Sequence, residues 1–138
     1  GVESDVWSTT SVNELRRDAQ AAERWNLLHP EEEERSSYLQ ECLKDRQGPV
    51  IASTDYMRLY ADQLRPYINR NFKVLGTDGY GRSDTRGKLR EFFEVNRYYV
   101  VVAALKALQE DGLVERSVVA KAIQKFNINP DKAAPWTV

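Results

Sequence analysis

"FKVLGTDGYGRSDTRGKLREFF", residues 72–93, decides the fold. Its first five residues are a short apolar run bounded by turn formers, which reads as a buried strand. Its last turn and a half places Leu89, Phe92 and Phe93 on one helical face. Between them lie glycines at 76, 79 and 81 and a run of hydroxyl and charged residues. A strand, a loop at its carboxyl end and then a helix is the repeating unit of an open α/β sheet, and such sheets carry their functional groups at that loop.

Outward from this stretch, two more apolar runs read as strands, "DVWS" (5–8) and "PVIAS" (49–53). None of the three alternates strictly, as expected of a parallel sheet covered on both faces. Helical patterns fill the gaps. Ser11 and Glu14 have the spacing of a capping box, in which side chain and backbone satisfy two orphan amides reciprocally. Val12, Leu15, Ala19, Ala22, Trp25 and Leu28 then recur at spacings of three and four, until His29 and Pro30 end the helix. A short helix over 38–43 stops before Gly48 and Pro49. Another spans 55–65, with Met57, Ala61 and Leu64 on one face and Tyr56 and Tyr60 beside them as core. Pro66 ends it. Asn96 is placed to cap a helix carrying Tyr98, Val101, Val102, Leu105 and Leu108, closed by Gly112. Val118, Val119, Ala122, Ile123 and Phe126 define a last helix, and the residues after it read as an irregular tail. The order predicts an α/β fold: three layers, a mostly parallel sheet flanked by helices, joined by right-handed crossovers. The 138 residues are expected to form one domain.

Composition excludes several functions. Lysine plus arginine number 20 and aspartate plus glutamate 21, so no net field draws the chain to nucleic acid or to an anionic membrane. An apolar fraction of 41% argues against disorder, and no apolar run approaches the roughly 20 residues that span a bilayer. The single cysteine, Cys42, fits a reducing compartment, and a cytoplasmic protein is expected. Because the chain starts at Gly1 rather than Met, it reads as a piece of a longer one.

Catalytic machinery is hard to assemble from these residues. The only histidine, His29, has no serine or cysteine near it in sequence. Cys42 is expected to pack inertly, and the "EEEE" block (31–34) to be solvated surface. Asp55 and Asp78 follow the second and third strands, where they would form a carboxylate pair or cap their loops. The glycine order G-x-x-G-x-G is neither the dinucleotide fingerprint nor a Walker loop. An anion would still meet Arg82, Arg86 and free helix amides, unless Ser83 or Asp84 caps the helix and uses them.

The runs "STDYMRLYADQLRPYI" (53–68) and "VLGTDGYGRSDTRGKLREFFEVNRYYVVVAAL" (74–105) carry a resemblance, as do "GVESDVWSTTSVNELRRDA" (1–19) and "AIQKFNINPDKAAPW" (122–136). Together they resemble the C-terminal domain of the single-chain, homodimeric bacterial pyruvate dehydrogenases, which are transketolase-like. The resemblance implies a three-domain enzyme whose first two domains, from different subunits, enclose thiamine diphosphate and magnesium. It decarboxylates pyruvate and acetylates the lipoyl group of dihydrolipoyl acetyltransferase. The family's diphosphate motif, GDG followed by paired asparagines, is not matched by "TDGYG", so no cofactor, metal or catalytic residue is carried over and the fragment alone is expected to be inactive. The family domain begins one strand and helix earlier, in keeping with a small sheet. The resemblance also implies packing against the remaining domains and the second subunit. Gly76, Asp78, Gly79, Gly81, Arg82, Ser83, Asp84 and Arg86 are then candidates for an interdomain loop, with the glycines allowing close turns and the charged residues offering hydrogen bonds. A docking or regulatory module of the complex, and the C-terminal domain of a transketolase-type enzyme, are the alternatives.

Overall fold

Residues 2–138 are described by a computed structural model. They fall into two units, divided between Asp45 and Arg46.

The first unit is helical. α1 (Val12–Leu28) begins where Ser11 Oγ accepts from Glu14 N at 3.2 Å. The Glu14 carboxylate turns to Arg17 at 3.3 Å, so only the serine half of the expected box is made here. The complete box lies at α2 (Tyr38–Leu43). There Ser37 Oγ accepts from Gln40 N at 3.3 Å and Gln40 Oε1 accepts from Ser37 N at 2.8 Å. Asp18 ties the two helices by accepting from Tyr38 N at 2.6 Å. Val12 and Ala19 are buried as the helical spacing requires, but Leu28, at the end of the stripe, is exposed. His29 caps α1 and stacks on Trp25 at 3.5 Å, and the Arg35 guanidinium also packs on Trp25. Glu31 to Glu34 are exposed, as expected of a solvated block. Cys42 is half-buried, and its hydrogen bond to Tyr38 holds that phenol above its ordinary pKa.

The expected strand at 5–8 is not formed. Its residues have no regular structure, and Val6 is 94% exposed. A strand is stable only on a partner edge, and the unit that holds these residues contains helices alone.

In the second unit the sheet therefore has two strands rather than three: β1 (Val50–Ser53) and β2 (Phe72–Leu75), parallel, with Val50 opposite Phe72 and Ser53 opposite Leu75. Between them runs α3 (Arg58–Asp62), then a 3₁₀ turn at Arg65–Tyr67. The expected helix over 55–65 is thus cut at both ends. Thr54 Oγ1 accepts from Tyr56 N at 3.1 Å, holding the entry as a turn. Pro66, which has no amide to donate, opens the new turn rather than ending the chain's coiling. Ala61 and Leu64 are buried; Met57 and Tyr56, expected in the core, are exposed.

α4 (Arg86–Phe92), α5 (Arg97–Glu110) and α6 (Arg116–Lys125) follow. Asn96 Oδ1 accepts from Tyr98 N and Tyr99 N at 3.0 and 3.2 Å, as its cap position predicts, and Gly112 sits at φ +75° just past α5. α5 packs on both strands and on α6, and α3 packs on β2, giving a small parallel sheet flanked by helices. Ala107 of α5 is fully buried, with Phe72, Phe93, Val95 and Ala122 also in the core. Val101 and Val118, placed by periodicity on apolar faces, are exposed.

The tail is not loose. Lys132 Nζ donates to the Phe92 carbonyl at 2.7 Å and the Glu91 carbonyl at 3.3 Å, and meets the Glu94 carboxylate at 3.4 Å. A cation thereby meets carbonyls at the C-terminal end of α4, where positive charge is favourable. Beyond it, a 3₁₀ turn at Pro135–Thr137 buries Pro135 completely.

Candidate functional site

The loops that leave β1 and β2 cross closely, and glycine permits it. A Cβ on Gly76 would lie 2.6 Å from Arg58 N and 2.7 Å from the Tyr56 carbonyl. At that crossing Thr77 N donates to the Tyr56 carbonyl at 2.8 Å, and Thr77 Oγ1 donates to the Asp55 carbonyl at 3.1 Å.

Asp78 then caps a helix from a different segment. Met57, the N-cap residue of α3, offers no side-chain acceptor. Asp78 Oδ1 accepts instead from Arg58 N at 2.9 Å, the first amide of that helix, while Asp78 Oδ2 lies 3.4 Å from Arg58 Nε. The guanidinium lies over the Trp136 ring at 4.5 Å. Gly79, at φ +115°, brings the chain so near the tail that a Cβ would meet the Pro135 carbonyl at 2.7 Å.

Asp55 is held from the other side. Arg90 grips it with two bonds, at 2.8 and 3.2 Å, and Arg86 stands 3.9 Å away. The hydrogen bond from Arg90 holds the Asp55 carboxyl below its ordinary pKa, against a smaller opposing effect of burial. The two aspartates thus do not form a carboxylate pair, because each is engaged by its own arginine.

Arg82, Ser83 and Asp84, with Lys88, Leu89 and Phe92, line an open cleft of about 410 Å³. The Arg82 guanidinium packs on the Phe92 ring at 4.3 Å. Neither Ser83 nor Asp84 caps α4: the N-cap is Thr85, and Asp84 Oδ1 accepts from Thr85 N at 2.7 Å. Gly81 has open space around its Cβ position, so no close approach requires a glycine there.

Residues 1–96 match the family of transketolase-like TK C-terminal domains. The chain belongs to that family. This transketolase-like domain is 59% identical over 136 residues to a protein named "Pyruvate dehydrogenase E1 component" from Pseudomonas aeruginosa, covering 98% of the chain. It is 56% identical over 138 residues to the protein of the same name from Cupriavidus necator, and 54% over 136 residues to that from Escherichia coli. The chain spans about 15% of the length of each of these curated relatives.

Among the described residues no three His, Cys, Asp or Glu side chains gather at one point, and the two aspartates best placed on the loops are taken by Arg90 and Arg58. No described helix is long and apolar enough to cross a membrane.

Four residues of this joint escaped the reading of the sequence: Arg58, Arg90, Lys132 and Trp136. Their partners lie 20 to 78 positions away, and nothing local marks them. The Asp55 contact sets a pH dependence. Its folded pKa is lowered, so its contribution is present above the unfolded value near 4 and is lost as pH falls through the folded value. With the carboxylate 57% exposed, Asp55→Asn should cost under about 1 kcal/mol at pH 7. The urea unfolding stabilities of the two proteins should begin to converge as pH falls below about 4 and meet once pH is below the folded value.

Proposed function

We propose that residues 1–138 form a single supporting domain of a pyruvate dehydrogenase E1 component. The observation that carries this is the 59% identity over 136 residues to a protein of that name, a level that holds across nearly the whole chain. In the parent enzyme pyruvate loses carbon dioxide and its two-carbon remainder reductively acetylates the lipoyl group of dihydrolipoyl acetyltransferase. Thiamine diphosphate with magnesium, held by the other domains, supplies the carbanion chemistry for that step. The enzyme works as a cytoplasmic homodimer.

The part played by this domain is positional. Asp78 and Gly76 lock the β2 loop to the start of α3, Asp55 locks α4 to the β1 loop through Arg90, and Lys132 and Pro135 bind the tail beneath them. A loop fixed at so many points offers a rigid surface. Gly76, Asp78 and Gly79 build it, while Arg82, Ser83, Asp84 and Arg86 face outward to the remaining domains or the second subunit. Rigid presentation matters because misplacement by about 1 Å far from the chemistry can cost a hundredfold in rate.

The test is substrate choice by the full-length protein. With pyruvate, thiamine diphosphate, magnesium and lipoylated acetyltransferase, carbon dioxide release coupled to lipoyl acetylation is expected. Two-carbon transfer between sugar phosphates, without pyruvate turnover, would overturn the proposal in favour of a transketolase-type enzyme.

A further inference from the structure

Around the joint the cations are paired within the chain. Arg86 and Arg90 face Asp55, Arg58 faces Asp78, and Lys132 meets Glu94. The two cations of the cleft are different. Among the described residues, Arg82 meets the Phe92 ring and no carboxylate, and Lys88 meets no carboxylate. Leu89 and Phe92 supply the apolar part of the same lining, and Ser83 and Asp84 complete it.

This mixture of groups selects a kind of ligand. A free phosphate or other small dianion would be attracted by Arg82 and Lys88 but repelled by the Asp84 carboxylate, in a lining where these charged residues are exposed rather than desolvated. A peptide segment meets every group at once. A carboxylate side chain answers the two cations, backbone N–H groups answer Asp84 and Ser83, and an apolar side chain covers Leu89 and Phe92. The chain spans only about 15% of its relatives' length, so such a segment has a large source within a parent protein.

We infer that the cleft between the β2 loop and α4 receives an acidic segment, with an apolar side chain beside its carboxylate, from the part of the parent protein outside residues 1–138. This rests on the reading of the chain as one domain of a larger enzyme and names the chemistry of the contact. Charge complementarity of this sort fixes register between packed surfaces, because a misdocked partner leaves like charges facing.

The test uses the full-length protein in two arms. Carbodiimide joins a lysine amine to a carboxylate in contact with it, so peptide mapping should find Lys88 linked to an aspartate or glutamate outside residues 1–138. In parallel, brief acetylation with an N-hydroxysuccinimide ester should leave Lys88 largely unmodified while exposed Lys44 reacts fully. Protection of Lys88 without an external carboxylate link would overturn the acidic partner but leave the domain packed on its neighbours. Acetylation of Lys88 as fast as Lys44 would show the cleft open to solvent and overturn the inference outright, while the pyruvate assay decides the larger reading independently.

Discussion

Gly76→Ala destabilises the chain by about 3 kcal/mol, at the upper end of what overpacking a close-packed site costs. The added methyl has no room: it would lie 2.6 Å from Arg58 N, 2.7 Å from the Tyr56 carbonyl and 2.9 Å from Arg58 Cα, all of them backbone atoms. Backbone cannot swing aside as a lysine tip can. To relieve the contact the β2 loop must retreat from the β1 loop, and the bonds that depend on the crossing, Thr77 N to the Tyr56 carbonyl at 2.8 Å and Arg58 N to Asp78 at 2.9 Å, then lengthen together. Gly81→Ala is the matched control, since its methyl meets nothing within 4 Å. It should change stability by no more than about 0.5 kcal/mol, as surface substitutions usually do. Urea unfolding midpoints of the two variants decide the matter, and equal midpoints would mean that the loops are not in contact.

Asp78→Ala is the second large effect, about 2 to 3 kcal/mol. Loss of a helix cap alone costs ~0.5–2 kcal/mol. Here the same substitution also strips the counter-ion from Arg58, whose Nε is buried without a hydrogen bond and lies 3.4 Å from the carboxylate. Removing one partner of a half-buried ion pair leaves the other charge uncompensated. Asp78→Asn separates the two contributions, because the amide oxygen still accepts from Arg58 N while the charge is gone. It should lose about half as much, roughly 1 to 1.5 kcal/mol, near the lower end of the ~1.5–3 kcal/mol that a charged hydrogen bond is worth. Asp84→Ala, which removes only a bond to the neighbouring Thr85 amide at 2.7 Å, should lose less than either. An Asp78→Ala protein that unfolds at the wild-type midpoint would dissolve the joint as described.

These two positions also mark how far the sequence could be read. Local signals were legible where one segment contains both partners. Asn96 and the helix it starts, the serine at the head of α1, and Gly112 past the end of α5 all lie where spacing and turn chemistry placed them. The strands Val50–Ser53 and Phe72–Leu75 were legible for a related reason, as each is a short apolar run that finds its partner within one crossover. "DVWS" carries the same kind of apolar run and forms no strand, because pairing is a property of two segments and composition reports on one. The same limit hid the joint. Asp78 was expected to cap its own loop, whereas it caps α3, 20 residues back. By sequence alone Asp55 and Asp78 read as a carboxylate pair or as caps of their own loops, and nothing in either neighbourhood indicates that Arg90 and Arg58 claim them. The tail looked irregular because a lysine that binds carbonyls 40 and 41 residues away has no periodicity to betray it.

The central claim is that this domain supports an active centre without holding its cofactor. Calorimetric titration of thiamine diphosphate with magnesium into residues 1–138, followed by a pyruvate decarboxylation assay on the same sample, tests it most directly. No saturable heat and no carbon dioxide release are predicted. Saturable binding of the cofactor by these residues alone, or pyruvate turnover by them, would contradict the claim.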